Sequence, residues 1–299
     1  MKKSLLATTA LAALGAVAVA GPAAAAEKIK IGVGGYMQQW FAYADNSANA
    51  NKGNQGFDVQ TDAEIHFKGE TTLDNGLTFG VNVQLEGQTS GDQIDEQYAY
   101  IEGSFGRFII GSENSVSYQM HYGIPSHGAT IDSGDATQYL AGTDFSGART
   151  NGRGDDNDSE KISYITPRFA GFQLGVSYVP QLNQDLDGVS GANAPRDNDG
   201  IRDNSWAVAA NFNRKFNDFS ILASAGYQDF GDDDAIAAGA AADDEESYQF
   251  GLRLGYAGFV LAGTYGQEDR LGTDEQETIG LGLSYASGPF GVSLGYTGS

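Results

Sequence analysis

The chain has 299 residues, a formal charge of −22 at pH 7, 42 glycines, 6 prolines and no cysteine. The missing thiols exclude a disulfide framework and cysteine-ligated metals, and the acidity excludes the basic face that nucleic acid requires. The same charge predicts a field that attracts cations.

Residues 1–26 read as an export signal. Lys2 and Lys3 make a basic start, Leu11 to Ala20 is apolar, and Ala24-Ala25-Ala26 forms a small-residue cleavage site before Glu27. The alternative is an uncleaved amphiphilic anchor. Removing this segment takes away two lysines and no acid, so the charge goes from −22 to −24. Nothing in 27–299 has the run of about 20 apolar residues that a spanning helix needs.

The first predicted strand runs from about Val33 to Tyr43, and a polar stretch from Asp45 to Gly56 follows. The second puts Val59, Thr61, Ala63, Ile65 and Phe67 on one face and Gln60, Asp62, Glu64, His66 and Lys68 on the other. Leu73-Asp74-Asn75-Gly76 is a hairpin signal. The third strand sets Leu77, Phe79, Val81, Val83 and Leu85 against Thr78, Gly80, Asn82, Gln84 and Glu86. The fourth (about Gln93 to Glu102) and fifth (about Arg107 to Ser112) alternate poorly. A long connection, 113–159, then leads to the sixth strand, Lys161 to Thr166.

The remaining strands carry the ladders Phe172/Leu174/Val176/Tyr178, Trp206/Val208/Ala210/Phe212 and Phe219/Ile221/Ala223/Ala225/Tyr227. Tyr248/Phe250/Leu252/Leu254/Tyr256, Phe259/Leu261/Gly263/Tyr265, Ile279/Leu281/Leu283/Tyr285 and Phe290/Val292/Leu294/Tyr296 complete the set. Short turns fall after even-numbered strands and long gaps after odd ones. No second set of apolar elements exists to cover the apolar faces. The simplest solvent for them is lipid, and the simplest shape is an all-β transmembrane antiparallel β-barrel with a polar lumen. Phe172, Phe219, Phe259 and Phe290 are expected in a girdle near the short turns. Tyr178, Tyr227, Tyr256, Tyr265, Tyr285 and Tyr296 are expected in a second girdle near the long loops. Thirteen strands are visible. An antiparallel barrel closes with an even number, so the barrel of 27–299 is expected to be incomplete at its C-terminus, with about sixteen strands in full; a strand hidden in 113–159 is the alternative.

The 113–159 connection contains Tyr118, Met120, Tyr122, Ile124 and Pro125, then Tyr139, Leu140 and Phe145, which need a surface to pack on. The lumen wall is the nearest one, so the connection is expected to fold inward and constrict the pore. Asp132, Asp135 and Asp144 would give its acidic side, and Lys68, Arg107 and Arg253 the basic side of the lumen wall. Arg253 reads equally well as a polar side chain on a wet face. Arg168 and Arg214 read as rim charges. Asp155, Asp156 and Asp158, with Asp232, Asp233 and Asp234, offer oxygen ligands to calcium; a solvated acidic mouth with nothing bound is the preferred alternative. No other cofactor is called for. His66, His121 and His127 show no metal-ligand spacing, and no nucleophile motif occurs, so no enzyme is expected. The clean strands put Tyr and Phe on the lipid side, which argues against a lumenal aromatic slide for sugars.

The opening Met1-Lys2-Lys3-Ser4-Leu5-Leu6, the start Ile31-Gly32-Val33-Gly34-Gly35-Tyr36, the stretch Glu64 to Gly69 with Leu73 to Leu77, and Tyr98 to Gly111 with its Glu102-Gly103-Ser104-Phe105-Gly106 turn together resemble the general diffusion porins of Gram-negative bacteria, in their alphaproteobacterial form. The resemblance covers the whole mature chain. It implies a sixteen-stranded homotrimer in the outer membrane, its third external loop folded into each pore. Opposed acidic and basic side chains would line an eyelet that passes small hydrophilic solutes and ions. Carried to this chain, the acidic side falls between Asp132 and Asp144, and the basic cluster matches Lys68 and Arg107 only loosely. That departure favours a cation-preferring pore. A binding or adhesion barrel acting through its external loops is the competing function.

Overall fold

A computed structural model describes residues 29–45, 55–87, 94–127, 158–182, 202–231, 245–269 and 275–298. They form one antiparallel sheet in strict sequence order. Its strands are β1 (Lys30–Asp45), β2 (Gln55–Thr72), β3 (Thr78–Glu86), β4 (Ile94–Gly103), β5 (Gly106–Ser112), β6 (Glu160–Ile165), β7 (Phe172–Gln181), β8 (Asp203–Phe216), β9 (Phe219–Asp229), β10 (Glu246–Tyr256), β11 (Phe259–Glu268), β12 (Gln276–Ser287) and β13 (Phe290–Gly298). Among the described residues, each strand pairs only with its neighbours in the chain.

The turns explain the topology. Ala257 and Gly258 join β10 to β11 with φ of 49° and 88°, the left-handed pair a two-residue hairpin demands. In the β2–β3 turn the Gly76 N–H donates to the Leu73 carbonyl at 2.8 Å, and the Asn75 side chain accepts from the Leu77 N–H at 3.1 Å. Every such tight turn lies at one edge of the sheet, as the gap lengths predict.

The two faces are inverted relative to a water-soluble sheet. Leu252 of β10 is 44% exposed while Gln249, three residues earlier on the same strand and on its other face, is 2% exposed. Phe172, Val208, Phe250, Leu261, Leu281 and Leu294 lie open on the outer face, and Ser177, Ser205, Asn211, Gln228 and Thr278 are buried on the inner one. A strand needs about 9–11 residues to cross the hydrocarbon. β1 with 16 residues and β2 with 18 exceed that, so their long-gap ends stand in the water beyond it.

The aromatic girdles form across strands. Tyr178 stacks beside Trp206 at 4.5 Å and Tyr227 beside Tyr248 at 5.0 Å near the long gaps. Phe172 meets Phe212 at 4.8 Å and Phe259 meets Tyr285 at 4.4 Å near the short turns. Tyr256 and Tyr285 therefore belong to the short-turn girdle, not the long-gap girdle expected for them, because each ends a strand that runs into a tight hairpin. The weak alternation of β4 and β5 also has a cause. A bulge interrupts the β3–β4 register at Gln84/Leu85, and Phe108, Ile109 and Ile110 put apolar side chains on both faces. Tyr98 and Tyr100 of β4 share the inner face with Asn82 and Gly80, as do Tyr36 and Trp40 of β1 with Glu64 and Asp62, so aromatic residues do enter the lumen from these two strands.

Leu252→Arg, on the outer face of β10, is expected to destabilise the chain in lipid vesicles by about 2–4 kcal/mol, as for a cation near the bilayer midplane. Urea unfolding followed by intrinsic fluorescence measures it.

Candidate functional site: an inner wall and the segment seated on it

The 113–159 connection begins as a strap across the polar face of the sheet. A single turn of helix, α1 (Val116–Gln119), follows β5, and an irregular stretch continues to His127. Val116 is fully buried, and together with Met120 it packs on Ala207, Ala209 and Ile165. That small cluster answers the expectation that the apolar residues of this connection need a surface. The helix itself was not legible, since four residues carry no periodicity.

A backbone removed from water must find other partners for its N–H and C=O groups. Here successive strands supply them from side chains. Ser177 of β7 accepts from the Val116 N–H at 3.0 Å, and Asn211 of β8 donates to the Met120 carbonyl at 3.2 Å. Ser224 of β9 accepts from the Tyr122 N–H at 2.9 Å. Gln249 and Arg253 of β10 donate to the carbonyls of Ser117 and Gly123. Ser293 of β13 accepts from the His127 N–H at 3.0 Å. Small residues let the segment lie this close. A methyl group built on Gly175 would stand 2.5 Å from the Met120 sulfur, and one on Gly282 would overlap Ile124.

The opposite part of the wall, β1–β5, is not covered by this segment. Its inner face carries Asp58, Asp62, Glu64, Glu70, Glu86, Glu96 and Glu102 against Lys30, Lys68 and Arg107, by the pairing of β1 through β5. Glu64 and Glu86 sit directly across from each other, an arrangement that costs stability through like-charge repulsion. His66 lies 3.3 Å from Glu64. Tyr100 donates to Glu70 at 2.5 Å, and the Arg107 guanidinium covers the Tyr100 ring at 4.0 Å, with Glu102 as its register partner.

A polar knot ties the root of the strap to this wall. The Asn114 side chain donates to Glu96 at 2.5 Å, the Asn114 N–H donates to Glu113 at 3.0 Å, and the Lys161 ammonium donates to the Glu113 carbonyl. Ser112 donates to the backbone carbonyl of Asp158. Burial pushes the Glu113 carboxyl above its ordinary 4.5, against the opposing pull of the Tyr98 hydroxyl, the Asn114 N–H and Lys161.

Of the residues that sequence reasoning nominated, Lys68 and Arg107 face the lumen on one wall and Arg253 faces it on the other, beneath the strap. They form no single basic cluster. Asp132, Asp135 and Asp144 lie outside the described residues, as do Asp155, Asp156, Asp232, Asp233 and Asp234; of the proposed calcium ligands only Asp158 is described. Among the described residues no three His, Asp or Glu side chains are grouped to hold a metal. Arg168 caps the β6–β7 turn through Gly171 and Gln173, at 2.8 and 2.6 Å, as its place at a turn suggested. The seat residues Ser177, Asn211, Ser224, Gln249 and Ser293 each stand on the polar phase of a ladder that alternation identifies, but alternation assigns them no role in seating the connection.

A family model described as Gram-negative porin matches residues 7–299. Among solved structures, an anion-selective porin from Comamonas acidovorans superposes with a TM-score of 0.57 at 19% identity, over 90% of this chain and 78% of that one. Salmonella typhi OmpF, solved with daunomycin, gives 0.55 at 16% identity over the same shares of 90% and 78%. OmpT of Vibrio cholerae in its trimer form gives 0.53 at 12% identity, again over 90% and 78%. Comparison with the curated proteins finds no match.

Two outcomes follow from the seat. Gly282→Val forces Ile124 off the wall at an overpacking cost of about 1–3 kcal/mol, and hydrogen exchange should then speed up in residues 122–127 while the strands keep their protection. The folded chain holds the Glu113 proton at pH values where the unfolded chain has lost it. Stability should therefore fall as pH rises from the ordinary carboxylate range through the raised folded value. Glu113→Gln removes the ionisation and should flatten that decline in pH-dependent unfolding.

Proposed function

The chain belongs to the Gram-negative porin family, and on that premise we propose that its pore passes small hydrophilic solutes with a preference for cations and is narrowed by the 113–159 connection. A porin is a passive diffusion channel of the outer membrane, a conduit rather than an enzyme. The choice of ion belongs to this chain's own side chains, since the fold serves either sign: the porin from Comamonas acidovorans is anion-selective.

The observation that carries the reading is the division of the inner wall. The strap from Val116 to His127 lies against β6–β13, whose contributions to it are largely neutral hydroxyls and amides. The wall that the described part of the connection leaves uncovered is β2–β5, where carboxylates outnumber Lys68 and Arg107. A monovalent cation about 4 Å from a carboxylate gains about 1 kcal/mol even at the dielectric constant of water, roughly fivefold in local concentration. Several carboxylates in a low-dielectric channel focus the field further. Arg107 is engaged with Tyr100 and faces Glu102, so its charge is offset locally.

The remaining parts of the reading rest on the same premise. Residues 1–26 serve as an export signal. Asp132, Asp135 and Asp144 add negative charge to the connection, and calcium at the loop carboxylates is a secondary option to a solvated acidic mouth. The assembly is a homotrimer, a state in which OmpT of Vibrio cholerae was solved.

Planar-bilayer recordings across a KCl gradient test the proposal. The reversal potential is expected to favour potassium, and Glu64→Gln/Glu86→Gln should reduce that preference while single-channel steps persist. An anion-favouring potential in the unsubstituted protein would refute the cation preference.

A further inference from the structure

Arg253 stands where a basic pore charge is expected, but its surroundings give it another task. Its Nε–H donates to the Gly123 carbonyl, in the middle of the strap. On one side of that carbonyl the Tyr122 N–H is fixed by Ser224 at 2.9 Å. On the other, Ile124 fills the space left by Gly280 and Gly282 of β12. The other wall side chains that bond the backbone between Val116 and His127, Ser177, Asn211, Ser224, Gln249 and Ser293, are neutral, while the charged Lys161 holds the root at the Glu113 carbonyl. A hydrogen bond from an ionised donor is roughly twice as strong as a neutral one, and the planar guanidinium fixes direction as well as distance. The described lumenal carboxylates of β2–β5 stand on a different part of the wall from Arg253, whose guanidinium is engaged with the strap at Gly123.

We propose that Arg253 is a positioning residue of the pore, holding the strap against the wall through Gly123 rather than serving as the basic side of the ion-selecting field. This rests on the reading that the strap narrows the passage. The other inner-phase positions of β10, Ser247, Gln249, Gly251 and Gly255, are all neutral, so the role accounts for the one charge on that face of the strand. Ala262 of β11, in register between Arg253 and Gly282, is buried and has no side-chain donor or acceptor, so the guanidinium of β10 is the hold that precedes Ile124 at β12.

The chain has no cysteine, so two can be placed at will. Spin labels at Ser126→Cys, on the strap, and Asp218→Cys, in the β8–β9 turn, report the strap-to-barrel distance by pulsed electron resonance in the full chain. The same preparation is recorded in planar bilayers. In the parent a single narrow distance is expected. Arg253→Met should lose it and show noisier open-channel current, with the reversal potential in a KCl gradient unchanged. Arg253→Lys, which keeps a charged donor, should restore the narrow distance at least in part, and it remains informative if the Met variant does not insert. An Arg253→Met distance profile identical to the parent's, with a shifted reversal potential, would overturn the assignment. A broadened distance with unchanged conductance would leave the tether standing and count against the constriction instead.

Discussion

The whole structure follows from the requirement that a peptide group leaving water must find its hydrogen bonds within the chain. In hydrocarbon that requirement is met by the antiparallel ladder from β1 to β13, which frees the side chains to divide by solvent. Burial of Leu252, Phe250 or Leu281 in lipid is each worth about 1.5–3 kcal/mol relative to water, and the polar side chains are thereby turned toward the lumen. The same requirement then acts a second time. The strap from Val116 to His127 leaves bulk water by lying on the sheet, and it takes its hydrogen bonds from the side chains the first division placed there.

This double use explains the composition of the two inner walls. Where the strap lies, the wall needs short hydroxyls, amides and glycines, because larger groups would hold the backbone away; Gly175 and Gly282 mark the closest approaches. Where the strap does not lie, side chains are free to be long and charged, and there β2–β5 gather Asp62, Glu64, Glu70, Glu86, Glu96 and Glu102. In the reading proposed above, selectivity comes from the wall that residues 116–127 leave uncovered, while the wall beneath them sets the geometry of the strap. The knot of Glu96, Glu113, Asn114 and Lys161 stands where the two regions meet, and it fixes the direction in which the strap departs from β5.

Much of this was written legibly in the sequence. Period-two alternation in Tyr248 to Tyr256 and Phe290 to Tyr296, together with the parity of gap lengths, was enough for strand order and for the two faces. Asn75-Gly76 and Ala257-Gly258 marked hairpins because left-handed backbone favours such residues. Legibility failed where one local pattern served two partners. In β5 the run Phe108-Ile109-Ile110 hides its phase, since Ile109 is buried on the inner face while Ile110 meets lipid. Tyr256 and Tyr285 looked alike in a list of strand-end tyrosines, and only the direction of each strand separates them. Alternation puts Arg253 on the polar phase of β10, but its partner lies 130 residues away, on a carbonyl that any residue would provide. No sequence pattern announces such a contact.

The chain's two tryptophans offer the most direct check on the division of solvents. Trp206 stands on the outer face of β8 beside Tyr178, and Trp40 stands on the inner face of β1, in register with Gln60 of β2. Variants retaining one tryptophan, Trp40→Phe or Trp206→Phe, can be reconstituted in vesicles of brominated phospholipid. The account predicts that bromine quenches Trp206 strongly and Trp40 little, while aqueous acrylamide shows the reverse order. Strong bromine quenching of Trp40 with Trp206 spared would place lipid and water on the wrong faces and contradict the barrel.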